Sequence, residues 1–89
     1  MKLTVYYTSQ FKKDFKLCIK RGNNMQLIKK IMIDLENGEQ LPPQNKDHSL
    51  SGIYLGYHEC HIQPDWLLVY QSNVETIVFD RTGSHSDLF

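Results

Sequence analysis

The hydrophobic pattern of the chain changes its period on either side of Pro42-Pro43, and that change is what most restricts its fold. From Phe11 to Leu35 the apolar residues return every three or four positions. From Ile53 to Arg81 they return every second one. A 3.6-residue repeat gathers on one side of a helix and a two-residue repeat on one side of a strand. The chain must therefore fold as helices laid against a sheet, with the proline pair marking the passage between them.

Residues 2–7, KLTVYY, alternate and are β-branched or aromatic, so they read as a first strand. Thr8 or Ser9 can cap a helix carrying Phe11, Phe15, Cys18 and Ile19 on one side and Lys12, Lys13, Lys16 and Lys20 on the other, stopped by Arg21-Gly22. Asn23 or Asn24 can cap a second helix whose stripe is Met25, Ile28, Ile31, Met32 and Leu35, ended by Gly38. The turn between the two is short enough for a helical hairpin. Residues 39–47 form a loop that Pro42-Pro43 bars from continuing the helix. Three strands follow at 53–62, 66–71 and 75–81, separated by Gln63-Pro64-Asp65 and Ser72-Asn73, and such short connections make an antiparallel meander. The order β-α-α-β-β-β defines an α+β domain in which one sheet face lies under the helices and the other stays open.

Eighty-nine residues supply one core and one domain, 1–89. The chain has no apolar run near the roughly 18 residues of a membrane span, and MKLTVYYTSQ does not have the order of a signal peptide, so the expected compartment is the cytoplasm. Cys18 and Cys60 lie in no CxxC pair and read as reduced, packed thiols. The formal net charge is zero, but the charges are unevenly placed. Nine of the ten basic residues lie at or before Lys46, while residues 47–89 hold six acidic residues, all four histidines and only Arg81. A basic first half can face phosphate and a second half rich in His and carboxylate can move protons; solvated helix faces would give the same lysines.

Alternation in the second strand puts His58, Cys60 and Ile62 on one face and Tyr57, Glu59 and His61 on the other. The first set looks like core, so His58 reads as structural while Glu59 and His61 point to the open side. His48 ends the proline loop, Asp65 lies in the turn after His61, and His85 lies in the tail, so loops can bring all of them to one end of the sheet. Paired imidazoles can supply a general base and a general acid together, which cutting RNA requires. Arg81 is then the lone nearby cation for charge gathering on phosphorus, and Trp66, Tyr54 and Tyr57 are rings on which bases can stack. Ordinary packed or solvent-facing histidines would give the same count, and the residues alone leave that reading open. His58, Cys60 and His61 do not make a zinc site, because His61 faces away and no second ligand pair follows, so no metal is expected. There is neither a glycine-rich phosphate loop nor an HExxH motif.

Four spaced motifs carry a resemblance: Lys46-Asp47-His48-Ser49-Leu50-Ser51-Gly52, Gly56-Tyr57-His58-Glu59-Cys60-His61, Pro64-Asp65-Trp66-Leu67-Leu68-Val69-Tyr70, and Arg81-Thr82-Gly83-Ser84-His85-Ser86-Asp87-Leu88-Phe89. In that order they resemble the YafQ branch of the RelE superfamily. The resemblance implies a RelE-like fold and a toxin of a type II toxin–antitoxin pair. Such a toxin is an endoribonuclease that cuts messenger RNA, commonly on the ribosome, leaving a 2′,3′-cyclic phosphate and a 5′-hydroxyl without metal or other cofactor. The family's active positions match His48, His61, Asp65, His85 and Phe89, with Lys46, Trp66 and Arg81 as the expected RNA contacts. His85 is the expected general acid, His48 or Asp65, with His61, the expected base, and Phe89 a stacking ring. The implied partners are an antitoxin, usually with a ribbon-helix-helix part that alone touches operator DNA, together with messenger RNA and the ribosome; no membrane partner is implied. The chain departs from the family in having His58 in place of the usual Arg, Ser49 in place of Pro, and no net positive charge. Two other readings compete. A gyrase poison on the same scaffold would lack this histidine set, and an inert antitoxin-binding module would be compatible with the neutral charge and with His58.

Overall fold

The computed structural model describes residues 2–89. It contains β1 (Thr4–Tyr7), α1 (Ser9–Lys20), α2 (Met25–Glu36), β2 (His48–Ser49), β3 (His58–Gln63), β4 (Trp66–Ser72), β5 (Thr76–Gly83) and α3 (His85–Leu88), with single turns of 3-10 helix at Pro43–Asn45 and Gly52–Tyr54.

Both long helices begin and bury as their sequences require. The Thr8 hydroxyl accepts from the Phe11 amide at 2.9 Å, and the Asn24 side chain accepts from Gln26 at 3.2 Å. The buried side of α1 is Phe11, Asp14 and Cys18, and that of α2 is Ile28, Ile31 and Leu35. At the end of α1, Gly22 takes φ +81°, a left-handed conformation that a Cβ would disfavour.

The sheet has the order β1-β5-β4-β3-β2. The meander pairs antiparallel as expected, and β1 adds to β5 in parallel, Thr4 opposite Thr76 through Tyr7 opposite Phe79. Leu68, Tyr70, Cys60, Ile62, Ile77 and Phe79 form one core with the helix stripes. β4 is buried on both faces from Trp66 to Tyr70, so the second face is closed at its centre and not open throughout.

One further expectation is corrected, and two short elements are added to those expected. Residues 53–57 are not strand: β3 starts at His58, because Gly52 and Gly56 have positive φ and the apolar alternation of Ile53 and Leu55 finds no partner, leaving both exposed. The loop after the prolines ends in a two-residue strand, with His48 opposite Glu59 and Ser49 opposite His58. The tail after Gly83 is a short helix. Cys18 and Cys60 are free and buried, and burial pushes the Cys60 thiol up to about 12.

Phe79 sits where β5 meets α1, its ring 5.8 Å from Phe11 and 5.9 Å from Tyr7. Replacing it with Ala should cost about 3–5 kcal/mol in chemical denaturation, the usual toll of emptying an aromatic core position. Such a loss is a large part of the ~5–15 kcal/mol available to a small domain.

Candidate active site

Parity along β3 builds the centre of the site. Cys60 and Ile62 go under the helices, so Glu59 and His61 project from the opposite face. The His61 carbonyl accepts from the Asn45 side chain at 2.8 Å, which ties the proline loop to the strand. Tyr70, also buried, donates its hydroxyl to both oxygens of Asp47 at 2.7 and 2.8 Å, fixing the residue before His48.

Three imidazoles are thereby assembled from three different segments. The His61 ring lies 6.5 Å from His48 and 5.8 Å from His85. Each end of the row has a carboxylate. Glu59, itself buried, places one oxygen 3.6 Å from His48 Nε2 and 3.9 Å from His61 Nε2. At the other end Asp65 Oδ1 is 2.7 Å from His85 Nδ1 and accepts the His85 backbone N–H at 3.0 Å. Those two bonds, the backbone one first, hold the Asp65 carboxyl below its ordinary range. Phe89 lies edge-on to Tyr54 with ring centres 5.5 Å apart, and Tyr54 lies edge-on to Tyr57 at 6.2 Å, so exposed aromatic surface borders the histidines.

The partners of these rings restrict their tautomers. His48 Nδ1 lies 2.7 Å from the Lys46 carbonyl, which only accepts, so Nδ1 carries the proton and a neutral ring leaves Nε2 free to take one. His85 Nδ1 faces an ionised carboxylate and is likewise the protonated nitrogen, so its Nε2 faces away from Asp65. Lys46 is exposed, with φ +47°, on a cleft of about 380 Å³ that His61, Gln63 and Pro64 also line.

Two of the expected RNA contacts need correction. Trp66 is in the helix-side core, 3% exposed, and its Nε1 donates to Thr82 Oγ1 at 3.0 Å. It shares parity with Leu68 and Tyr70, so no base can stack on it without opening the core. Arg81 is not a free cation: its Nε donates to Asp14 at 2.7 Å, and Asp14 also accepts the Thr82 backbone N–H at 3.2 Å. His58 packs flat on Tyr70, 5.3 Å between ring centres, in keeping with a structural role. The lysines of α1 stand on the helical side of the sheet, across from the histidines, so of the basic first half it is Lys46 and not these lysines that stands beside the site. Glu59 was legible from its spacing to His61. Asp14, Asn45 and Asp47 gave no sequence signal, because their role depends on distant partners.

No helix among the described residues is long and apolar enough to cross a membrane. Residues 3–89 match the family described as "Bacterial toxin of type II toxin-antitoxin system, YafQ". The chain belongs to the YafQ toxin family. It is 41% identical over 86 residues to the mRNA interferase toxin YafQ of Escherichia coli strain K12, covering 96% of this chain and 94% of that one. The fold superposes on the crystal structure of YafQ from E. coli strain BL21(DE3) with a TM-score of 0.95 at 38% identity, covering 99% of both chains. It also superposes on a chain of the E. coli DinJ–YafQ toxin–antitoxin complex with a TM-score of 0.94 at 39% identity, covering 100% of this chain and 99% of that one. The RelE-like α+β fold expected from the motifs is thus the fold of this YafQ family member.

Two measurements follow. Asp65 should titrate below the ~3.9 of an unperturbed aspartate when its carboxyl is followed by NMR. Because its folded value is lowered, the pairing with His85 contributes fully above that ordinary value and is lost as pH falls through the lowered one. In His85→Ala the Asp65 value should rise only part of the way, since the backbone bond remains. Asp14→Ala leaves the Arg81 guanidinium and the Thr82 N–H without their shared acceptor and should destabilise by about 2–3 kcal/mol in urea.

Proposed function

We propose that this YafQ family member is the toxin of a type II toxin–antitoxin pair and an endoribonuclease that cleaves messenger RNA. The observation that carries the reading is the row His48, His61, His85, with a carboxylate at each end. The names of the relatives at about two-fifths identity support it.

His48 Nε2 takes the proton from a 2′-hydroxyl, and Glu59 beside it stabilises the imidazolium that forms. The freed oxygen attacks the adjacent phosphorus, and the bond to the 5′-oxygen breaks. His85, oriented by its Nδ1 bond to Asp65, gives an Nε2 proton to that oxygen. The products are a 2′,3′-cyclic phosphate and a 5′-hydroxyl. His61, between the two, contacts the phosphate or helps His48. Asp65 orients His85; its lowered affinity for protons makes it a poor base, so His48 takes that role. Lys46, exposed beside His61, faces a neighbouring phosphate, and Phe89 stacks on a base with Tyr54 beside it. The residues present complete both proton transfers without a metal ion.

The target is messenger RNA engaged on the ribosome, in the cytoplasm. The partner is an antitoxin, as DinJ is for the relative, carrying a ribbon-helix-helix part through which alone the complex reaches operator DNA.

Primer extension on a reporter message after brief expression tests the reading. The wild type should cut at discrete codons, and His85→Ala should lose at least ~10²-fold in rate, the least that one positioned acid contributes. A wild type that cuts nothing and leaves growth unaffected would make the chain a non-catalytic binding module.

A further inference from the structure

We propose that Arg21, at the far end of α1, is a positioning residue for His85, acting through Asp87. The inference rests on the nuclease reading above, in which His85 moves a proton.

α3 has four residues, too few to hold a helical turn in water by local bonds alone. Its shape depends on Asp87, whose carboxylate serves two partners. Asp87 Oδ2 accepts the Ser84 backbone N–H at 2.9 Å, while the Ser84 hydroxyl accepts the Asp87 N–H at 3.2 Å, a reciprocal cap that fixes the turn just before His85. The same carboxylate receives Arg21, Nη1 to Oδ2 at 2.6 Å and Nη2 to Oδ1 at 3.1 Å, a two-pronged pair across 66 residues of sequence. The Arg21 guanidinium, then the Ser84 cap, hold the Asp87 carboxyl well below the usual carboxylate range, so the pair stays charged at working pH. The backbone leaves room for this arrangement only because residue 83 is glycine: a Cβ there would lie 2.8 Å from Asp87 Oδ2.

Arg21 is fixed from its own side. Its backbone N–H closes the last turn of α1 on Leu17, and α1 is capped at its start by Thr8 and tied to β5 by Asp14. Arg21 therefore carries the position of α1 to Asp87, Asp87 carries it to Ser84, and the next residue is His85, whose N–H and ring both meet Asp65. α3 is thus held from two sides, by Asp65 at its first residue and by Arg21 at its third. Arg21 touches neither His48, His61 nor His85, so its effect on chemistry must pass through α3. Because the pair is partly exposed, it adds little to global stability, and this separates positioning from a merely structural role.

The test compares Arg21→Ala and Arg21→Lys with the wild type in single-turnover cleavage. Arg21→Ala should lower the maximal rate roughly tenfold, the cost of a small misplacement of a reacting group, with KM and Tm nearly unchanged, and Arg21→Lys should recover part of the loss. In a His85→Ala background Arg21→Ala should cost almost nothing further, since residues acting through one another are not additive. An equal loss in both backgrounds, a loss in KM alone, or a full rate would overturn the assignment. If the wild type does not cleave, the nuclease reading fails, and positioning is then judged by amide exchange: the Ser84 and His85 N–H groups should exchange about tenfold faster in Arg21→Ala as the cap loosens. Unchanged exchange there would sink it.

Discussion

The two-residue period of the sheet is the constraint on which the rest of this molecule depends. Once Cys60, Ile62, Leu68 and Tyr70 are buried beneath α1 and α2, every other residue of β3 and β4 is committed to the opposite face. Glu59 and His61 stand there for that reason and no other. A slip of one residue would bury both and expose the core, so the register that makes the domain stable is also the register that makes the site. Stability and placement are here one constraint, enforced by the apolar residues that touch no substrate.

The remaining groups arrive on loops, and each loop is fastened by a few bonds to something rigid. Asp47 hangs from Tyr70, Asn45 from the His61 carbonyl, and His85 from Asp65, while α3 is clasped from outside by Arg21. Strands and helices therefore supply the fixed frame, and single polar contacts aim the side chains that differ most in exposure. Glu59 is nearly enclosed, whereas about half of the His48 and His85 side chains meets solvent. That gradient is what the proposed proton transfers to a large ligand would need, open ends above a floor that does not move.

Much of this was legible in the chain, because the two helix stripes, the meander and the face of Glu59 and His61 are periodic signals within single segments. The errors have a common cause. Ile53 and Leu55 alternate like a strand but lack a neighbour to pair with, and pairing is a property of two segments. Trp66 looked available for stacking because its parity was not carried through to Leu68 and Tyr70. Arg81 looked free because Asp14, which holds it, lies 67 residues away. The parallel pairing of β1 with β5 belongs to the same class: 72 residues separate Thr4 from Thr76, and no local pattern reports such a contact.

The pairing of cations bears on how the proposed nuclease would meet RNA. Binding to nucleic acid in solution is driven largely by free Lys and Arg displacing counterions from phosphate. Here the arginines near the histidines are already engaged, Arg81 with Asp14 and Arg21 with Asp87, and the lysines of α1 lie on the far side of the sheet. Among the described residues Lys46 is the exposed cation beside the histidine row. Glu59 and Asp65 meanwhile place two carboxylates in the row, each useful for aiming a side chain and each repelling a phosphate chain. Such a site is built for proton transfer and poorly built for capture. Under the proposed function, the binding energy would then have to come from another body, such as the ribosome, that presents one phosphate at a time to a neutral chain with a crowded acid–base row.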